Sequence, residues 1–302
     1  MYDWNHAPVL KGILYPEKLK PFLPAFERAR EIPLTGQDRY TAGRLARLLA
    51  EYRLMPEECL LLTAADEEIR AAQILGMALA AYVDEELPGQ SYAGAWIVIE
   101  GFEEVDEEFL LRVFWRCHGI PWLIAETKRC VIRELALEDL EDLARLYEEP
   151  GITRRIGENG EELPGYVEPL YPMEEELEYQ KNYIEQMYRY YGYGLWLVFD
   201  RKSGALIGRA GIENRVYPEG VEMELGYLIH PDWQGQGIAT EVCSAIIQYA
   251  REYLECGRLN LLTAGGNLPS VALAERLGFV YVGDTDISGS RMRRYILQMS
   301  EK

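Results

Sequence analysis

The segment HPDWQGQGIATEVCSAIIQYA, residues 230–250, contains a glycine-rich turn of a kind that can bind phosphate groups. Gly235 and Gly237 have no Cβ, so backbone N–H groups beside them can approach an anion closely. An alternating apolar stretch, VEMELGYLI, precedes the turn, and a helical apolar pattern follows it. The free N–H groups and the dipole at the start of that helix would attract a diphosphate. Such a turn serves either a dinucleotide or the diphosphate of coenzyme A.

The dinucleotide alternative fits the sequence poorly. It requires G-x-G-x-x-G or G-x-G-x-x-A, and the third position here is Thr240. About 20 residues further on, where an acidic residue should end a strand, the sequence reads NLLTAGGN. Glu222 and Glu224 are also unusual in a buried first strand of such a fold.

The coenzyme A alternative fits at more positions. Gln234, Gly237 and Ala239 match the pattern Q/R-x-x-G-x-G/A between a strand and a helix, which resembles the pyrophosphate loop of the GNAT superfamily of N-acetyltransferases. The segment NLPSVALAERLGFVYVG, from Asn267, resembles the second half of the same superfamily. Within it, MELGYLIHPDWQGQGIATE is similar to the branch that includes the ribosomal-protein N-terminal acetyltransferases. The resemblance covers residues 129–298.

This resemblance implies that acetyl-CoA is the cosubstrate. In the superfamily the fourth strand separates from its neighbour near a bulge, and main-chain N–H groups there polarise the thioester carbonyl; Gly226 suits such a bulge. An Asn after the fifth strand, here Asn267, contacts the pantetheine arm. The residues expected to bind the cofactor are Tyr227, Leu228, Ile229, Gln234, Gly235, Gln236, Gly237, Ile238, Ala239, Thr240 and Asn267.

The acceptor amine must lose a proton before it attacks the thioester. Glu224 lies one alternation before Gly226 and is the candidate general base. Glu222 could attract the ammonium form, although solvated carboxylates on a strand face would look the same in sequence.

Many superfamily members place a Tyr five residues before the Phe of the lGF turn to protonate the departing thiolate, and here that position is Ala274. Another tyrosine, or water, would have to serve.

Six tyrosines surround the helix expected at residues 174–191. They could form an aromatic wall for a cationic amine by cation–π contact, or most could simply pack in the core. We expect His230 to be structural and Ser270 to cap the helix that follows it. The six tyrosines are Tyr179, Tyr183, Tyr188, Tyr190, Tyr191 and Tyr193.

The elements that must position these residues fall into two patterns along the 302 residues. In the first, strands CLLLT, ALAAY, AWIVI and WLIA alternate with helices, which predicts a parallel, helix-covered sheet. In the second, strand CVIREL and a helix lead into a loop at 150–172, a helix at 174–191, a hairpin, the strand–turn–helix above and further strands. We therefore predict an α/β and α+β two-domain protein. Residues 1–127 form a small Rossmann-like parallel-sheet domain, and residues 128–302 form a GNAT mixed-sheet domain.

The first domain resembles a truncated haloacid dehalogenase fold over residues 37–125. The segment PEECLLLTAADEEIRAAQILGMALAAY is similar to the last motif region of that superfamily. Ala64 stands where the magnesium-binding Asp belongs, Glu68 takes the second acid position, and residues 1–60 contain no D-x-D nucleophile motif. The resemblance therefore implies a degenerate domain without phosphatase activity, used for binding, docking or stability.

The amino-acid composition and the net charge favour some classes of binding partner and disfavour others. The net charge of −19 repels nucleic acid and favours cationic ligands, although solubility is the simpler explanation for it. Five cysteines without C-x-x-C spacing and only three histidines indicate reduced thiols and no metal site. No apolar run approaches the ~20 residues that cross a bilayer, and the N-terminus does not resemble a signal peptide. We expect a cytoplasmic protein without a membrane or nucleic-acid partner.

Together these features predict an acetyl-CoA-dependent N-acetyltransferase. It would transfer the acetyl group by direct attack to a primary amine, either a peptide or protein N-terminus or a small amine. The alternative is a non-catalytic acetyl-CoA-binding module that regulates a partner, and Ala274 keeps that alternative open. An independent phosphatase ranks third.

Overall fold

The N-terminal and C-terminal halves of the chain form separate units. The computed structural model describes residues 7–35, 39–156, 162–164, 167–254, 256–287 and 290–299, with side chains omitted at 154–156 and 162–164. One unit spans Tyr2–Trp122 and the other is built from Leu123–Lys302.

The first unit is a parallel sheet in the order β2-β1-β3-β4-β5. All residues of its central strands CLLLT and ALAAY are buried, as expected for a parallel sheet that is covered on both faces. The predicted parallel sheet is confirmed, but its first two strands were not expected. The elements are β1 (Gly12–Pro16), a 3-10 turn (Glu17–Phe22), β2 (Arg30–Leu34), α1 (Ala42–Tyr52), a 3-10 turn (Pro56–Glu58), β3 (Cys59–Thr63), α2 (Asp66–Leu75), β4 (Ala78–Tyr82), β5 (Val98–Ile99) and α3 (Glu107–Cys117).

The second unit begins with β6 (Leu123–Glu126), β7 (Cys130–Arg133), a 3-10 turn (Leu137–Asp139), α4 (Leu140–Glu148), β8 (Arg154–Ile156) and β9 (Glu162–Pro164). It continues through α5 (Met173–Tyr183), a π-helix (Ile184–Tyr191), β10 (Leu195–Asp200), β11 (Leu206–Tyr217) and β12 (Gly220–Ile229). The last elements are a 3-10 turn (Pro231–Trp233), α6 (Ile238–Tyr253), β13 (Arg258–Ala264), α7 (Leu268–Arg276), β14 (Val280–Ile287) and β15 (Ser290–Gln298).

Eight of these strands form a mixed sheet in the order β14-β15-β13-β12-β11-β10-β7-β6. Strands β12 and β13 are parallel, and the other neighbouring pairs are antiparallel. Helix α6 covers one face, where the ring of buried Trp196 lies 5.1 Å from that of Tyr249. Helices α4 and α5 cover the other face, where Arg209 of β11 contacts Tyr147 and Tyr183. This is the mixed sheet predicted for the C-terminal half.

Two element assignments from sequence are wrong. The strand WLIA, expected in the first domain, pairs antiparallel with β7 in the second sheet, with Leu123 opposite Arg133. A short apolar run has no periodicity that shows which sheet it will join. The expected loop at 150–172 contains the hairpin of β8 and β9. Its strands have three residues each and no apolar alternation.

Within the part of the chain that the structure describes, no helix is both long enough and apolar enough to span a membrane.

Candidate cofactor and acceptor site

The glycine-rich turn joins β12 to α6. Gln234 donates from Nε2 to the carbonyl of Ile229 at 2.8 Å, which fixes the start of the turn to the end of the strand. Gly235 and Gly237 have φ of 70° and 80°, a left-handed conformation that favours glycine. Gly237 precedes the first residue of α6, and no described side chain caps that end of the helix. Its first N–H groups are therefore available to an anion.

The predicted cofactor residues of β12 lie where the sheet opens. Among the described residues, β12 and β13 share a single register pair, Glu224 with Asn260, so the strands separate beyond that point. Tyr227, Leu228 and Ile229 all follow it, on the open part of β12. The opening agrees with the expected separation of the strands.

The bulge expected at Gly226 is absent. The register between β11 and β12 runs unbroken from Gly208–Ile229 to Tyr217–Gly220 and pairs Gly226 with Gly211. Gly211 is the glycine that the packing requires, because a Cβ there would lie 2.0 Å from the carbonyl oxygen of Gly194. The strands therefore open because β13 diverges, without an extra residue in β12.

A buried polar network closes the other end of this opening. Asn260, fully buried, donates from Nδ2 to the carbonyl of Met223 at 3.0 Å and to Glu222 at 2.8 Å. Arg294 donates from Nε to Asn260 at 2.8 Å and also pairs with Glu222, which forms an ion pair with Arg258 as well. Glu222 is thus neither a solvated carboxylate nor free to attract an ammonium group. Sequence reasoning missed Asn260 and Arg294, because each lies in a strand that contains other polar residues and neither stands out there.

Glu224 is buried on the face of the sheet that α4 and α5 cover. Its Oε2 accepts a hydrogen bond from the hydroxyl of Tyr217 at 2.9 Å and forms an ion pair with Arg215, while Oε1 has no hydrogen-bond partner among the described residues. Glu213 lies directly opposite on β11. Burial raises the pKa of the Glu224 carboxyl despite Arg215 and Tyr217, and Glu213 raises it further. A raised pKa favours a carboxylate that accepts a proton near neutral pH.

The cap of α7 differs from the prediction. Asn267 is the capping residue, and its side-chain oxygen accepts from the backbone N–H of Ser270 at 3.3 Å. The capping role predicted for Ser270 is wrong. Ser270 is buried and hydrogen-bonds the phenol of Tyr227, whose pKa burial raises to about 12. Ala274 is fully buried one turn further along α7.

The tyrosines divide between core and surface. Tyr183, Tyr188 and Tyr193 are buried, whereas the other three are exposed. Tyr183 donates to Glu213 at 3.0 Å and accepts from the N–H of Leu195 at 2.6 Å. Tyr183 therefore holds the start of β10 against α5. Tyr179, Tyr190 and Tyr191 are the exposed ones.

Glu68 of the first unit is committed to internal contacts. It is buried and accepts hydrogen bonds from the hydroxyl of Thr63 at 2.5 Å and from the N–H of Tyr40 at 3.1 Å. Ala64 is buried, and its methyl group offers no ligand. Among the residues that the structure describes, no group of three His, Cys, Asp or Glu side chains could hold a metal ion.

Comparison with known proteins identifies relatives of the second unit. A family model described as "Acetyltransferase (GNAT) domain" matches residues 129–280. The "Putative ribosomal N-acetyltransferase YdaF" of Bacillus subtilis is 31% identical over 158 residues, which are 50% of this chain and 78% of that protein.

Two further relatives from the same organism match shorter stretches. The "Uncharacterized protein YkkB" is 29% identical over 100 residues, 33% of this chain and 58% of that protein, so the chain spans less than two thirds of its length. The "Spermine/spermidine N(1)-acetyltransferase" is 29% identical over 66 residues, 22% of this chain and 43% of that protein.

Proposed function

Because the chain belongs to the GNAT acetyltransferase family and is an acyltransferase, we propose that it transfers the acetyl group of acetyl-CoA to a primary amine. The observation that carries this proposal is the uncapped glycine turn at the start of α6, next to the point where β12 and β13 separate. Such a turn suits a diphosphate, and the opening suits an extended arm that leads from it.

We propose that acetyl-CoA binds along this path without a metal ion. Backbone N–H groups of the turn would hold the diphosphate, the open part of β12 would hold the pantetheine arm, and Asn267 would contact that arm from α7. A main-chain N–H near Gly226 would donate to the thioester oxygen as negative charge develops there. The residues are Tyr227, Leu228, Ile229, Gln234, Gly235, Gln236, Gly237, Ile238, Ala239, Thr240 and Asn267.

Glu224 is the proposed general base. It would accept the proton of the acceptor ammonium at Oε1, directly or through one water, and the neutral nitrogen would then attack the thioester carbon. The C–S bond breaks and the sulfur leaves as thiolate, which a thiol pKa of about 8.5 permits near neutral pH even though Ala274 supplies no acid. No covalent bond to the enzyme forms.

We propose that the acceptor is a cationic amine, either a peptide or protein N-terminus or a small amine. Glu213 and Glu224 lie directly opposite each other on one face, where like charges are unfavourable unless a cation is near. Arg215 pairs with Glu224, so an ammonium group could balance the remaining charge. The names of YdaF and of the spermine/spermidine relative, both N-acetyltransferases, support an amine acceptor.

For the first unit we propose a degenerate haloacid dehalogenase-like domain that serves docking or stability. The support is the parallel sheet and the sequence pattern around Ala64 and Glu68. We also propose that the protein acts in the cytoplasm and binds neither nucleic acid nor membranes, since its net charge is −19.

The test is release of free CoA thiol from acetyl-CoA by the full chain with a panel of amines: N-terminal peptides, polyamines and small monoamines. Turnover with at least one amine, with the acetylated product identified by mass spectrometry, is the expected result. Tight binding of acetyl-CoA without turnover on any amine would contradict the transfer and support the non-catalytic module. Membership of the family favours the enzyme.

A further inference from the structure

The turn between β6 and β7 contacts the first turn of α6. Glu241, the fourth residue of α6, accepts three hydrogen bonds from it: from the hydroxyl of Thr127 at 2.7 Å, from the N–H of Arg129 at 2.8 Å and from Nε of Arg129 at 2.7 Å. The carboxylate is therefore held back against this turn and neutralised. Without these partners, the Glu241 carboxylate could bind the free N–H groups at the start of α6 itself, or repel an anion that approaches them.

Arg129 also holds the glycine turn itself. Its Nη1 donates to the carbonyl of Gln236 at 2.9 Å, which directs that oxygen at the guanidinium. Its Nη2 lies 3.7 Å from the position a Cβ on Gly237 would occupy, so it is beside the turn. Nη2 makes no hydrogen bond to any described residue, and the side chain is 40% exposed. The Nε and Nη1 atoms of the guanidinium are thus hydrogen-bonded to the protein, and Nη2 is left free.

We propose that Arg129 binds the diphosphate of coenzyme A through Nη2 while its other donors hold the turn in place. This inference rests on the proposed function and adds a side chain that the Q/R-x-x-G-x-G/A pattern does not contain. The net charge of −19 repels the anionic coenzyme A. A cationic side chain that contacts the diphosphate counters this repulsion locally and should therefore raise the affinity for coenzyme A. An arginine suits the task because its planar group can serve a carboxylate, a carbonyl and a phosphate at once.

The experiment is calorimetric titration of the full chain with coenzyme A, which needs no acceptor. Arg129→Gln should raise the Kd about 10- to 100-fold, the range expected for a lost charge-assisted hydrogen bond. Arg129→Lys keeps the positive charge, so its Kd for coenzyme A should lie between those of the wild-type protein and Arg129→Gln. Arg145→Gln, which removes an arginine exposed on α4, should leave the Kd unchanged. The affinity of Arg129→Gln should also depend less steeply on salt.

A second variant separates ligand binding from a role confined to the protein. If Arg129 only neutralised Glu241, the double variant Arg129→Gln/Glu241→Gln would recover the wild-type Kd, and that result would overturn the proposal. We expect the double variant to stay at least about fivefold weaker than Glu241→Gln alone, because the phosphate contact is missing in it. Wild-type protein that does not bind coenzyme A would instead refute the proposed function.

Discussion

At the scale of single residues, the site combines positions that sequence reveals with positions that only the fold reveals. Gly235 and Gly237 were identifiable because a left-handed turn between a strand and a helix requires glycine. Asn260 and Arg294 were not, because their partner Glu222 is more than 30 residues away from either. Contacts between distant strands depend on register, which a single sequence does not specify.

The prediction for Glu224 concerns its basicity. Glu224→Gln keeps the shape of the side chain and should lower kcat by about 10²–10⁴-fold with the best amine of the panel, while the Kd of acetyl-CoA stays nearly the same. The matched variant Glu213→Gln should mainly raise the KM of the amine. A Glu224→Gln enzyme that retains most of its kcat at neutral pH would make this residue a bystander.

The pH profile provides a separate check on Glu224. Burial raises the pKa of this carboxyl above 4.5, and the active base is the deprotonated form. Wild-type kcat should therefore decline as the pH falls through that raised pKa, so the acid limb of the profile lies above pH 4.5. In Glu224→Gln this limb should be absent, and the residual rate should rise about tenfold per pH unit while the amine is mostly protonated. Identical profiles for both enzymes would exclude the assignment.

The prediction for Gly237 concerns the backbone. At φ of 80° a β-branched side chain is strained, so Gly237→Val should distort the turn and raise the Kd of coenzyme A at least about tenfold. Gly76→Val is the matched control, since Gly76 has a φ of 70° with open space around it and ends a helix in the other unit. Gly76→Val should lower the free energy of unfolding by a similar amount but leave the Kd of coenzyme A unchanged. Unchanged affinity in a folded Gly237→Val variant would refute this site.

At the scale of elements, periodicity predicted most helices and strands, and context decided the rest. Helix α2 and strands β3 and β4 have the predicted bounds, since each is a clear apolar pattern ended by Gly, Asp or Pro nearby. Strand β6 consists of three apolar or small residues and a glutamate, a pattern that fits either sheet. The hairpin of β8 and β9 is too short and polar to show a period.

A buried ion pair anchors the start of α4 to β7. Arg133, 1% exposed, donates to Asp139 at 2.7 and 2.6 Å, and Asp139 also accepts from the N–H of Ala136. Arg133→Met leaves that carboxylate buried without its cation and should lower the free energy of unfolding by about 3–5 kcal/mol. Arg145→Met, which breaks an exposed pair on the same helix, should cost about 0–1 kcal/mol. Urea denaturation of the full chain measures both, and equal effects would contradict the role of burial.

At the scale of the whole molecule, two units of different architecture share one chain. The family match covers residues 129–280, within the unit built from Leu123–Lys302. The first unit has its own buried clusters on both faces of its sheet, which indicates a domain with its own core. Its separate existence could be predicted from the alternation of strands and helices, whereas the position of β6 could not.

The first unit should not hydrolyse phosphate esters. Phosphoryl transfer to an aspartate requires a carboxylate nucleophile and carboxylates that hold magnesium, yet residues 1–60 contain no D-x-D motif and Ala64 stands at the metal position. Glu68 already accepts hydrogen bonds from Thr63 and Tyr40. The full chain with magnesium and an aryl phosphate should therefore release phosphate at the rate of a blank. Ala64→Asp should remain inactive as well, because it restores a metal ligand but no nucleophile. Magnesium-dependent turnover by the wild-type protein, abolished by a chelator, would show that this unit is a working phosphatase.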